Sequence, residues 1–143
     1  MPIREGSAEW QGDLSNGSGT VSVESGLFSG QYSFRTRFED GPGTNPEELI
    51  GAAHASCFAM ALSNILAEAG HPPDSISATA RVELQPVDGV PTITRIQLIT
   101  QGRVPGIDQD QFSDYAGQAK VGCPVSRALA GVGEVELQAT LSE

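Results

Sequence analysis

The stretch from Gly43 to Leu62 limits what this chain can fold into more than any other. It reads as the opening of one long helix. Asn45 suits an N-cap, Pro46 suits the first helical position, and Glu48 falls three residues after the cap. Glu47 and Glu48 complement the positive end of the helix dipole. Alanine, leucine, isoleucine, methionine and phenylalanine then occupy every side of the cylinder, which predicts a helix buried all round. Gly70 is a C-terminal stop and Pro72-Pro73 forbid continuation. The helix therefore reaches Ala69, a span of about 36 Å at its usual rise per residue.

The flanking segments read as strands with two smaller helices. Ser7 to Trp10 and Thr20 to Ser25 form a hairpin across the Gly-, Asn- and Ser-rich turn between them. Gln31 to Glu39 alternates, with Tyr32, Phe34, Thr36 and Phe38 on one face and Arg35 and Arg37 on the other. That pattern predicts a strand whose aromatics, with Trp10, face the core. Ser75 to Leu84 and Thr92 to Thr100 read as strands joined by a turn from Pro86 to Pro91. Asp108 caps a second helix to Lys120, Gly122-Cys123-Pro124 breaks it, and Val125 to Ala130 forms a short third helix. Glu134 to Leu141 alternates and closes the fold as a strand. No linker or repeat divides the chain, so residues 1–143 read as a single α+β domain with a mainly antiparallel sheet and segregated helices.

Composition narrows the function. Eight basic against eighteen acidic residues give a net charge of −10, which argues against nucleic acid and anionic membranes as partners. His54, Ser56, Ser63 and Asn64 interrupt the apolar helix, which argues against a membrane span. The residues Met1 to Gly6 lack the apolar core of a signal peptide, so a cytoplasmic location is the default. Two cysteines without a CxxC motif make neither a zinc ribbon nor a thioredoxin motif. No run of His, Cys and carboxylates has metal-ligand spacing, and neither a metal nor a cofactor is expected.

The two thiols remain. Cys57 lies mid-helix, where it can be a small core residue or, given a nearby cation, a thiolate. Cys123 sits at a helix start, either as a turn residue or as a thiol made acidic by backbone N–H groups. Arg35 and Arg37 are the candidate cations, and Glu47 is available to pair with a buried arginine. His54 precedes Cys57 by one turn on the same helical face. Without an evident residue to orient its ring, it reads as a packing residue or a neighbour of the substrate pocket rather than as a catalytic base.

Thr44-Asn45-Pro46-Glu47-Glu48-Leu49-Ile50-Gly51-Ala52-Ala53-His54-Ala55-Ser56-Cys57-Phe58 resembles the central-helix motif of the OsmC family, which is related to the organic hydroperoxide resistance proteins. Lys120-Val121-Gly122-Cys123-Pro124-Val125-Ser126 resembles that family's second-cysteine motif. Ala8-Glu9-Trp10-Gln11-Gly12, Thr36-Arg37-Phe38-Glu39 and Val104-Pro105-Gly106-Ile107-Asp108 match as well, so the resemblance runs through almost the whole chain. It implies an intertwined homodimer in which antiparallel sheets wrap long central helices, with sites at the dimer interface. It also implies a stress-response antioxidant enzyme, a thiol peroxidase that prefers organic hydroperoxides. Cys57 would be the peroxidatic thiol and Cys123 the resolving thiol. Arg37 with Glu47 would be the charged pair, Arg35 being the alternative. A small or protein-bound dithiol, of lipoyl type by family resemblance, would reset the intrachain disulfide.

Glu47 and Cys57 lie ten residues apart on one helix, about 15 Å along its axis. A glutamate cannot reach that far. For Glu47 to orient an arginine beside Cys57, the arginine must span the gap, the helix must break, or a second chain must supply Glu47. Only Gly51 suggests a break. An antiparallel two-fold dimer that brings Glu47, with Arg37, from the second chain is the expected solution. The same residues also suit a thiol–disulfide exchange protein without peroxidase activity, or a non-enzymatic dimer that binds apolar small molecules.

Overall fold

A computed structural model describes all residues from 1 to 143. The chain divides into two compact units, Met1–Leu49 and Ile50–Glu143.

The first unit is an antiparallel meander followed by a short helix. Strands β1 (Gly6–Gln11), β2 (Ser18–Val23) and β3 (Ser29–Tyr32) pair in chain order. Trp10 and Tyr32 tilt against each other at 5.4 Å between ring centroids, over Gly19 on the strand between them. A Cβ at Gly19 would lie 2.6 Å from the Tyr32 ring and 2.7 Å from Trp10, so only glycine admits this stack.

The strand expected over Gln31 to Glu39 ends early. Helix α1 covers Phe34–Phe38 instead. Ser33 caps it by accepting from the Thr36 N–H, and the Thr36 hydroxyl accepts in return from the Ser33 N–H. This local closure overrides the period-2 pattern. Phe38 is consequently exposed, not core-facing.

Helix α2 (Pro46–Glu68) begins as expected, with the Glu48 N–H donating to Asn45 Oδ1 at 2.7 Å. It ends in a Schellman motif: Gly70 has φ +88°, His71 N–H donates to Leu66 O, and Gly70 N–H donates to Ala67 O. The expectation of all-round burial does not hold within one chain. His54, Phe58, Leu62 and Leu66 form a buried row, while Ala53, Ser56, Met60, Asn64 and Ala67 form an exposed one. The polar interruptions also do not disqualify α2 by length and composition, since its 23 residues are long and apolar enough to cross a bilayer. Here its Phe58–Leu62–Leu66 row is committed to the core.

The second unit holds a three-stranded sheet of β4 (Ser75–Val87), β5 (Val90–Arg103) and β6 (Glu134–Leu141), with β5 central. The β4–β5 pair is antiparallel, but β5 and β6 run parallel, which departs from the antiparallel expectation. A parallel pair needs a crossover, and α3 (Gln109–Gly122) with α4 (Pro124–Ala128) supplies it. Strands β4 and β5 also run through the turn expected from Pro86 to Pro91. Asp88 and Gly89, with φ of 52° and 78°, make a two-residue loop of the kind that matches strand twist. Val87 and Val90 flank that loop as a hydrogen-bonded pair, so Pro86 and Pro91 face each other where no ladder N–H is needed.

Phe58, Leu62 and Leu66 of α2, Leu98 of β5 and Phe112, Ala116 and Ala119 of α3 build the core. Gly51 lets α2 approach the sheet, since a Cβ there would sit 3.0 Å from Ala80 O. Gly102 on β5 lies under the Phe112 ring, where a Cβ would meet ring carbons at 2.6 and 2.7 Å. Gly102→Ala should therefore lower unfolding free energy by about 1–3 kcal/mol through overpacking. Urea unfolding that matches the parent would show that the ring can yield.

Candidate active site

The candidate charged pair lies in the first unit. Arg37 leaves the last turn of α1, and Glu47 stands in the first turn of α2. Arg37 Nε donates to Glu47 Oε1 at 2.8 Å. The carboxylate is buried while the guanidinium side chain keeps 38% of its exposure. Glu47 Oε2 has no hydrogen-bond partner, so the pair retains unused acceptor capacity. Arg35, the other candidate, turns elsewhere and donates from Nη2 to Asp40 O at 3.1 Å.

The two thiols lie in the second unit. Cys57 is half-buried on α2, and Cys123 is fully buried at the junction of α3 and α4. Cys123 serves both helices. Its N–H closes α3 on Ala119 O, and its sulfur caps α4 by accepting from the Ser126 N–H at 3.3 Å. Gly122-Cys123-Pro124 produces this junction because Pro124 cannot continue α3 but suits the first position of α4. Both thiols are free, and Cys57 and Cys123 lie near enough for the Cys123 thiol to act on the ionisation of Cys57.

Burial is the main cause that pushes the Cys57 thiol above its ordinary pKa; the Cys123 thiol adds to this, and a backbone hydrogen bond with Val125 opposes it. No cation is among the groups that act on Cys57. The thiol pair thus lacks, within one chain, the charge that makes a nucleophile.

His54 lies next to this pair and is fully buried. Its Nε2 is 2.7 Å from Ser126 Oγ, and the Cys123 thiol donates to the same oxygen at 3.2 Å. The residue that holds the imidazole is therefore Ser126, which the sequence reading did not find. A signal for it exists in Cys-Pro-Val-Ser, a cap followed by a hydroxyl three residues on. The link to His54 spans 72 residues and is not visible locally.

The fold and the paired thiols define a class of small cysteine proteins, and comparison with known sequences and structures names it. Residues 39–138 match the family described as OsmC-like protein, and the chain belongs to that family. It is 55% identical over 127 residues to peroxiredoxin OsmC of Escherichia coli (strain K12), covering 88% of this chain and 89% of that protein. It is 30% identical over 100 residues to the organic hydroperoxide resistance protein of Xanthomonas axonopodis pv. citri, covering 68% of this chain and 67% of that one. Its fold is also that of an organic hydroperoxide resistance protein from Elizabethkingia anophelis, with TM-score 0.74, 22% identity and coverage of 99% and 98% of the two chains.

Proposed function

We propose that this chain is a cysteine-based peroxidase that reduces organic hydroperoxides to alcohols, with Cys57 as the peroxidatic and Cys123 as the resolving thiol. The observation that carries this reading is the proximity of two free thiols of one chain, close enough that one acts on the ionisation of the other. The names of the relatives support the activity.

The Cys57 thiolate attacks the distal peroxide oxygen and the O–O bond breaks. The alkoxide takes a proton and leaves as the alcohol, and Cys57 becomes a sulfenic acid. Cys123 then displaces water from that sulfur to form the intrachain disulfide, and an external dithiol restores both thiols. Such a cycle needs a compartment that supplies reducing dithiols, which suits the cytoplasm.

The missing cation comes from the Arg37–Glu47 pair of a second copy. Helix α2 is unbroken from Pro46 to Glu68, so Glu47 and Cys57 of one helix stand about 15 Å apart along its axis. A homodimer with antiparallel central helices brings the start of each helix near the middle of its partner. The exposed row through Ala53, Ser56 and Met60, with Met60 at 75% exposure, supports this packing. Glu47 aligns the guanidinium, which holds Cys57 as thiolate and polarises the peroxide.

Stoichiometric cumene hydroperoxide should convert the two thiols into one intrachain Cys57–Cys123 bridge, read by mass spectrometry without reductant. Cys123→Ser should consume one equivalent and stop at sulfenic acid or beyond. Interchain bridges alone, or no bridge, reject the reading.

A further inference from the structure

The peroxidase cycle leaves one buried group unused. His54 is wholly enclosed, and its Nδ1 has no hydrogen-bond partner. Its Nε2 meets the Ser126 hydroxyl at 2.7 Å. That oxygen already accepts from the Cys123 thiol at 3.2 Å. A serine hydroxyl carries a single proton. With the Cys123 proton directed at the oxygen, the Ser126 proton is free to point at His54 Nε2. The Cys123 thiol, the Ser126 hydroxyl and the His54 imidazole thus stand in one hydrogen-bonded file, with the Cys57 thiol beside Cys123.

Resting on the peroxidase reading, we propose that Ser126 and His54 form a proton relay that deprotonates Cys123 for its attack on the Cys57 sulfenic acid. Ser126 touches the reacting sulfur, and His54 is a positioning residue that acts through it. The Cys123 S–H bond breaks and its proton passes to Ser126 Oγ, while the Ser126 proton passes to His54 Nε2. The electron pair left on Cys123 forms the S–S bond as the Cys57 S–O bond breaks. The hydroxide leaves as water with a proton from solvent, and the imidazolium returns one proton to solvent. The Cys123 sulfur is oxidised by one unit and the Cys57 sulfur reduced by one. When the dithiol later cleaves the bridge, the same file can reprotonate Cys123.

The surroundings suit a neutral acceptor. Burial lowers the His54 pKa below the ordinary imidazole value of 6.5, and no charged neighbour contributes to the shift. The titratable group linked to it is Cys123 at the cap of α4, reached through Ser126, and Cys57 lies three residues on along its own helix. Arg127 of α4 is exposed. The sheet presents Ala80, Val82 and Leu98 to α2, and α3 turns Phe112, Ala116 and Ala119 inward, none of them titratable.

The test separates the two chemical steps by rapid quench with an alkyl hydroperoxide. In His54→Gln and in Ser126→Ala, disulfide formation should fall about a hundredfold relative to sulfenic acid formation. With the relay intact, the resolution rate should be level across neutral pH. In both variants it should climb roughly tenfold per pH unit toward the alkaline thiol range, because free thiolate is then required. Ser126→Thr, which keeps a hydroxyl, should restore the level profile. A parental ratio and a level profile in the variants overturn the relay. Should His54→Gln fail to fold, Ser126→Ala decides, since it removes one oxygen and keeps the backbone donor to Cys123. A second readout does not depend on peroxide. With Cys57 first converted to its mixed disulfide by methyl methanethiosulfonate, Cys123 should displace methanethiol from it at pH 7 about tenfold faster with His54 than with His54→Gln. Equal displacement rates reject the relay, whereas failure to consume hydroperoxide with unequal rates rejects only the peroxidase reading.

Discussion

Replacing Arg37 with methionine is expected to slow the attack of Cys57 on an organic hydroperoxide about a hundredfold at neutral pH. The reason lies in the balance of forces on the thiol. Burial and the Cys123 thiol both push the Cys57 pKa up, and only a backbone hydrogen bond with Val125 works against them. Without a cation the thiol stays protonated, and the thiol form is a poor nucleophile. Methionine keeps most of the arginine's length and apolar stem while it removes the charge. The rate–pH profile for peroxide consumption should therefore shift toward alkaline pH, and high pH should recover part of the lost rate. Arg35→Met is the matched control, since Arg35 is held on Asp40 O and makes no bond to Glu47. The hundredfold loss appearing in the control instead, with Arg37→Met unaffected, would assign the cation to Arg35.

Mixing subunits should give the second large effect. Glu47→Ala and Cys57→Ser homodimers should each lose nearly all activity. A forced mixed dimer of the two should recover about half of the parental sites, by the two-fold symmetry of the pair. In a composite arrangement the unaltered Cys57 of one subunit meets the unaltered Glu47 of the other, and both lesions collect in the second site. If each site were built within one chain, the mixed dimer would contain one lesion in each and would stay inactive. Size-exclusion chromatography checks that the mixed species is a dimer before its rate is read.

Much of the fold is legible in the sequence where the signal is local. Asn45, Pro46 and Gly70 mark the ends of α2 through cap chemistry that needs no tertiary partner. Glu134–Leu141 is a strand with the bounds its alternation predicts. The errors have physical causes. Tyr32, Phe34, Thr36 and Phe38 alternate as a strand would, but the Ser33–Thr36 capping box closes a helical turn there. The apolar residues around α2 suggest burial on all sides, yet a single chain covers only the row through His54, Phe58, Leu62 and Leu66. At the candidate site, Arg37 Nε donates to Glu47 Oε1, and Cys123 lies near enough to Cys57 to act on its ionisation. Ser126 escaped notice because its partner His54 is remote along the chain and meets it only after α2 and α4 have packed.

Cys123 ends one helix and begins the next, and this double duty governs how its chemistry can be isolated. The sulfur is the acceptor that satisfies the Ser126 N–H. Alanine removes the thiol and leaves that amide without a side-chain acceptor, a loss of about 1 kcal/mol at a typical N-cap. Serine removes the thiol but supplies an oxygen of the kind most favoured at this position. A redox-dead protein made with serine therefore isolates sulfur chemistry, while one made with alanine mixes it with a loosened α4. The choice of replacement at this single position separates a chemical control from a structural perturbation.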